Sequence, residues 1–256
     1  MKIVRYGMAG HEQHGLVDGD GVIRSLAGSV PDVTPDAIAS GLMDRLRTIN
    51  PATLPIVPAG TRLGSPLSRT GHFVAVGLNY AEHATETDAA IPDEPILFNK
   101  APSCLAGPND DVLLPPGSTK TDWEVEIAFV IGRRASFVTD AGAIDHIAGC
   151  CICNDVSERS YQLERGGQWM KGKCFPTFGP LGPWLVTPDE VPDPQDLSLW
   201  MEVNGERVQN ASTRTMIFPV RHLEHFPTRR NRLGGSSARQ KTRYRAQTAP
   251  VDRIAL

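Results

Sequence analysis

Between Trp123 and Ile131 apolar residues occupy every second position: Trp123, Val125, Ile127, Phe129 and Ile131. A period of two predicts a strand. A second apolar run, Ile147 to Cys153, predicts another strand that ends in Asn154-Asp155. His72 to Leu78 is strand-like, and Pro92 to Phe98 leads to a polar tip, Asn99-Lys100. Gly179 to Val186 reads as a turn followed by a strand, and Leu197 to Val203, Asn204-Gly205 and Arg207 to Gln209 together predict a hairpin. Near the N-terminus, Lys2 to Tyr6, His14 to Val17 and Gly21 to Arg24 predict short strands. A helix is expected over Pro35 to Asn50, a shorter one over Asp140 to Ile147, and a Pro-rich connector over Pro51 to Pro66. The pattern predicts a mainly β fold with some α. The pattern divides the chain into a small N-terminal α+β unit and connector over 1–70, a β-rich body over 71–223, and a tail over 224–256.

The polar positions inside these runs carry the candidate chemistry. Glu124 and Glu126 alternate with the apolar residues, so a strand aims both carboxylates at one face. Two close like charges repel unless something positive lies between them. Asp155 adds a third carboxylate from the end of the second run. Three carboxylates on two strand ends suit a hard divalent cation such as Mg²⁺. The competing reading of the same two glutamates is a solvated strand face.

His83 and Glu86 stand one helical turn apart, which lets a carboxylate orient an imidazole as a general base; an ordinary surface histidine is the alternative. In Ser157 to Gln162, a polar helix or loop, Arg159 and Gln162 are also three apart. Arg159 offers a fork for a carboxylate and Gln162 a hydrogen bond to a keto oxygen. Lys173, set among glycine and apolar residues, is a candidate ligand or proton donor to a substrate oxygen, against the commoner exposed loop lysine.

Composition narrows the class. The chain has 256 residues, with 40% apolar and 21% charged, as in ordinary globular proteins. No window reaches the roughly 18 uninterrupted apolar residues of a membrane span. The first residues run directly into a strand pattern without a secretory signal. Five cysteines, an odd number, read as reduced thiols of a cytoplasmic protein. Cys150-Cys151-Ile152-Cys153 lacks a second pair at zinc spacing and fits a buried strand better. The tail differs in kind. Residues 224–256 hold eight Lys/Arg against two Asp/Glu, whereas the first 223 hold eighteen against twenty-seven. Apolar periodicity stops there, so disorder is expected. A shift of reading frame near residue 223 accounts for the change of composition. A functional basic tail that binds nucleic acid or an acidic partner is the weaker account, because its arginines show no aromatic interleaving or helical face.

Several phrases in series resemble the fumarylacetoacetate hydrolase family. They are Gly77-Leu-Asn-Tyr-x-x-His83-x-x-Glu86, Asp122-Trp-Glu-Val-Glu126, Asn154-Asp-Val-Ser-Glu-Arg159, Lys173-x-Phe175, Gly179-Pro-x-Gly-Pro-Trp184 and Val203-Asn-Gly-Glu206. The resemblance is greatest to bacterial 2,4-diketo-3-deoxy-L-fuconate hydrolases and ureidoglycolate lyase-like members. It implies a mixed β-roll with a small N-terminal domain, assembled as a homodimer. It implies Mg²⁺ or Mn²⁺ on Glu124, Glu126 and Asp155, and a His83–Glu86 general-base dyad on a lid. Arg159, Gln162 and Lys173 would bind an oxo-acid substrate, with Lys173 also catalytic. The implied reaction is C–C cleavage of an acylpyruvate through an enolate; isomerase and lyase outcomes use the same site. The family's Pro-Gly-Asp turn and Thr-Gly-Thr-Pro-x-Gly-Val-Gly loop do not follow Phe218 here. A third reading is therefore a catalytically impaired relative that still binds metal.

Overall fold

The computed structural model describes residues 1–86, 88–136 and 138–223, together with strand segments at 237–240 and 246–247. The first strands are β1 (Lys2–Tyr6), β2 (Gln13–Val17) and β3 (Ile23–Ser25). Helices α1 (Pro35–Ala39) and α2 (Leu42–Arg47) follow, then β4 (Leu63–Gly64), β5 (Phe73–Gly77), α3 (Ala81–Glu86), β6 (Ile96–Asn99) and β7 (Leu105–Ala106). The centre of the chain holds β8 (Thr121–Asp122), β9 (Val125–Ile131), β10 (Ile147–Asn154), β11 (Ser157–Glu158), α4 (Arg159–Leu163) and α5 (Met170–Lys173). The last elements are β12 (Gly179–Val186), β13 (Ser198–Val203), β14 (Glu206–Ser212), β15 (Ser237–Gln240) and β16 (Ala246–Gln247).

One mixed sheet dominates, in the order β3-β2-β1-β12-β10-β9-β15-β5-β6, with β4 and β7 as branches. Its middle strands are buried on both faces. Along β9, Ala128 and Val130 join one apolar cluster, while Val125, Ile127 and Phe129 join the other. Along β10, Cys151 and Cys153 face the first cluster, Cys150 and Ile152 the second. The first cluster also takes Ile38, Leu42 and Leu46 from the N-terminal helices. The second takes Leu199 and Met201 of β13, so the β13–β14 hairpin covers the opposite face. Two-sided burial explains why the apolar run Ile147 to Cys153 shows no alternation. All five cysteines are free thiols, four of them buried. No helix among the described residues is long and apolar enough to cross a membrane.

The hairpin forms as its turn chemistry dictates. Asn204 and Gly205 both take positive φ, 54° and 83°, as a tight two-residue turn requires. Two predicted elements are interrupted. The single helix expected over Pro35 to Asn50 is two short helices. The first is capped by Thr34, whose Oγ1 accepts from Ala37 N at 3.0 Å. It ends at Ser40-Gly41, where Gly41 turns left-handed at φ 83°. The strand expected from Trp123 begins only at Val125, so Trp123 and Glu124 lie outside it and Trp123 is 38% exposed. The expected short helix over Asp140 to Ile147 is two 3₁₀ turns, Asp140–Gly142 and Ile144–His146.

The N-terminal strands share the main sheet through β1, which pairs with β12 at Lys2↔Val186 and Ile3↔Leu185. Residues 1–70 therefore bury Ile3, Leu16 and Leu26 in the same cluster as Phe73 and Phe178. In the tail, β15 lies parallel to β5 and antiparallel to β9, and β16 pairs with β13. The expectation of a disordered tail otherwise falls outside the described residues.

Candidate metal centre and active site

The site grows from the paired ends of β9 and β10. These strands run antiparallel with Glu126 opposite Cys153 and Val125 opposite Asn154. Two further bonds staple the chain just outside the ladder. Glu124 N donates to Asn154 Oδ1 at 3.0 Å, and Asp155 N donates to Glu124 O at 2.6 Å. Glu124 is thus fixed although it precedes β9. The result brings Glu124, Glu126 and Asp155 together, with one carboxylate oxygen from each within 4.8 Å of the others. All three are fully or almost fully buried.

Buried carboxylates at this separation need compensating charge. Lys173, the last residue of α5, is fully buried and spends its three protons on the cluster. Its Nζ donates to Glu124 Oε2 at 2.7 Å, Asp155 Oδ2 at 2.9 Å and Ser157 Oγ at 2.5 Å. Burial pushes the Lys173 pKa down, but the charges of Asp155 and Glu124 outweigh it, and the net shift is upward. Arg159, at the start of α4, donates through Nε and Nη2 to Asp122 Oδ2 at 2.9 and 2.6 Å. Nη2 also reaches Glu124 Oε1, and Nη1 donates to Gln162 Oε1 at 2.8 Å. Burial works against its charge too, but Glu124 and Asp122 carry the net shift upward.

Lys100 was read from the sequence only as a polar strand tip. It projects from the end of β6 into the same cluster, 1% exposed. Its Nζ donates to Asp155 Oδ1 at 2.5 Å and to Val156 O at 3.3 Å. Asp155 is therefore held by two lysines, one on each oxygen.

Glu158 secures the surrounding loop. It accepts from Ser118 Oγ, from Thr121 Oγ1 at 2.9 Å and from Ser160 Oγ at 2.6 Å. Burial alone would raise its pKa, but these hydrogen bonds bring it down to about 2. The ionised carboxylate thus ties residues 118–121 to the first turn of α4, which carries Arg159.

The other base candidates lie on α3, directly after β5. His83 is 6% exposed there. Glu86 closes the same helix, and its side chain lies outside the described residues. The turn before α3 is anchored to the segment after β14. Asn79 Oδ1 and O accept from Phe218 N and Ile217 N, both at 2.8 Å, and Asn79 Nδ2 donates to Phe218 O at 3.0 Å.

The donor set suits a divalent cation. Asp122, Glu124, Glu126 and Asp155 place four carboxylates against three cations, Lys100, Arg159 and Lys173, so the cluster is one charge negative when all are ionised. A divalent cation would make it one positive, which matches an anionic ligand. The oxygens are hard donors of the kind Mg²⁺ and Mn²⁺ take.

Comparison with known proteins agrees with the geometry. The family model for the fumarylacetoacetate hydrolase C-terminal domain matches residues 72–233. A Burkholderia ambifaria protein carrying only a provisional hydrolase name is 54% identical over 223 residues, covering 87% of this chain and 79% of that one. The fold is similar to fumarylacetoacetate hydrolase from psychrophilic Exiguobacterium antarcticum, with a TM-score of 0.81, 30% identity, and coverage of 94% of this chain and 86% of that one. It is also similar to 5-carboxymethyl-2-hydroxymuconate delta-isomerase from Mycobacterium smegmatis, with a TM-score of 0.74, 31% identity, and coverage of 94% and 87%. The matched segment contains the whole carboxylate and cation cluster, and the chain is an enzyme of the fumarylacetoacetate hydrolase family.

Proposed function

We propose that the protein is a Mg²⁺- or Mn²⁺-dependent hydrolase that cleaves the C–C bond of acylpyruvates, the 2,4-dioxo acids. The observation that carries this reading is the buried trio Glu124, Glu126 and Asp155, held by two lysines and an arginine. A divalent cation on those three carboxylates would supply Lewis-acid polarisation of a chelating 2-oxo acid.

The chain's own residues supply the rest. Lys173, kept protonated by Asp155 and Glu124, has its three protons on Glu124, Asp155 and Ser157, and acts as nearby positive charge that stabilises the negative charge developing on the substrate's oxo oxygen. Arg159 engages Gln162 through Oε1, which leaves the Gln162 amide to donate to the oxo-acid end. Because Arg159 already grips Asp122 and Glu124, its first task is to fix Glu124, and it meets the substrate carboxylate mainly as nearby positive charge. His83, with Glu86 as its partner in the dyad, takes a proton from water as the oxygen attacks the distal carbonyl. The acyl carbon gains the hydroxyl, the electron pair of the broken bond passes to the pyruvate enolate, and that carbon is then protonated. The products are pyruvate and a carboxylic acid. The resemblance also supports a cytoplasmic homodimer.

An isomerase is the second reading, favoured by the 31% identical delta-isomerase. The test follows the enol absorbance of acetylpyruvate with Mg²⁺ and then with EDTA, while pyruvate is measured by a coupled reductase. Cation-dependent loss with stoichiometric pyruvate supports the hydrolase, and His83→Ala should lower kcat at least about 100-fold. Loss of absorbance without pyruvate favours the isomerase. No turnover by a folded, cation-binding sample contradicts both and leaves an impaired relative.

A further inference from the structure

Beside the charged cluster lies an aromatic pair to which the reaction above gives no role. Phe98 precedes Lys100 by two residues at the end of β6, so both face the site. The Phe98 ring centroid lies 5.2 Å from Lys173 Nζ. Trp169 meets Phe98 edge to face, centroid to centroid 5.3 Å. The indole also rests on Gly77, the last residue of β5, where a Cβ would come within 2.5 Å of its Cζ3. Gly77 pairs with Ile96 and Ala75 with Phe98, so the indole covers the adjoining ends of β5 and β6. Trp169 caps α5, the helix that ends in Lys173, and Gly77 leads into the turn before α3, the helix that carries His83. The two rings therefore stand between the lysine amine and the base of the histidine helix.

We propose that Phe98 and Trp169 form the wall that receives the substrate's distal acyl group, and that they select a flat, apolar acyl group over a carboxylated one. The inference rests on the hydrolase reading, because it places the 2-oxo acid at Lys173 and the distal carbonyl towards His83. An acyl group lying between these two points meets the aromatic edge. Lys173 cannot serve a second carboxylate there, since its protons already go to Glu124, Asp155 and Ser157. A carboxylate against the rings would lose its hydration to an apolar surface, whereas a phenyl group would complete an aromatic cluster.

The test compares 2,4-dioxopentanoate, 4-phenyl-2,4-dioxobutanoate and a 2,4-dioxo acid whose acyl group ends in a carboxylate. Both kcat/KM and calorimetric affinity are measured in Mg²⁺ for the wild type, Trp169→Leu, Trp169→Phe and Phe98→Leu. The wild type should favour the phenyl over the carboxylated substrate by at least about tenfold. Trp169→Leu should lower the phenyl-to-methyl preference by about tenfold; Trp169→Phe should keep most of the preference. An unchanged preference, or an equal loss on all three substrates, overturns the proposal in favour of a packing role. If the wild type turns over none of them, the hydrolase reading fails separately. The affinities still judge the wall, and equal ratios in wild type and Trp169→Leu reject it. Should Trp169→Leu not fold, the same ratios from Trp169→Phe and Phe98→Leu decide the matter.

Discussion

Replacing Lys100 with methionine keeps most of the length of the side chain and removes its charge. Lys100 is 1% exposed and bonded to Asp155 Oδ1, so the change strips one cation from a buried carboxylate. Breaking a buried ion pair from one side costs about 3–5 kcal/mol. Lys173 remains on the other oxygen at 2.9 Å, which places Lys100→Met near the lower end, about 3 kcal/mol. For a chain of this size that corresponds to a melting temperature lower by about 6–12 °C. The assay is thermal unfolding in EDTA, followed by titration with Mg²⁺. Losing Lys100 makes the cluster more negative, so Mg²⁺ should raise the melting temperature further in the variant than in the wild type. A variant that melts within about 1 °C of wild type in EDTA, with the same rise in Mg²⁺, would refute the pairing and the charge argument built on it.

Two other substitutions test how the site is held. At Gly172 an added Cβ would lie 2.4 Å from Glu158 O and 2.7 Å from Gln162 N, both backbone atoms. Gly172→Ala should therefore cost about 1–3 kcal/mol by pushing α5 from α4, seen as a lower melting temperature and weaker Mg²⁺ binding. Glu158 has a folded pKa of about 2 against an ordinary 4.5. A depressed carboxylate stabilises the fold above the unfolded pKa and loses that contribution as pH falls towards the folded one. The wild type should thus lose stability steeply between about pH 4.5 and 2, and Glu158→Gln should flatten that slope; parallel acid-unfolding curves would contradict the assignment.

The central strand and its carboxylates were legible because alternation is a local property. Glu124 and Glu126 stand two apart, and although Glu124 precedes β9 the two stay together, since the bonds to Asn154 and Asp155 rebuild the geometry from the neighbouring strand. Arg159 and Gln162 were legible for the same reason, one helical turn apart and joined by a hydrogen bond. Lys100 was not. A single lysine after an apolar strand looks like a solvated end, and only the tertiary pairing with a residue 55 positions later gives it a partner. Glu158 was hidden likewise, since its partners Ser118 and Thr121 lie on a separate stretch of chain, just before and at the start of β8. The break in the first helix was written in Gly41, but the apolar period on both sides carried the longer reading across it. Residues 1–70 read as a unit of their own because nothing local shows that Lys2 and Ile3 pair with β12.

The most direct measurement is a Mn²⁺ titration of the purified protein, followed by electron paramagnetic resonance and calorimetry, in wild type, Glu126→Gln and Asp155→Asn. The wild type should bind one cation per chain, and both variants should bind it at least about tenfold more weakly while they remain folded. Binding of the same stoichiometry and affinity in folded variants would show that the carboxylate cluster is not the metal centre.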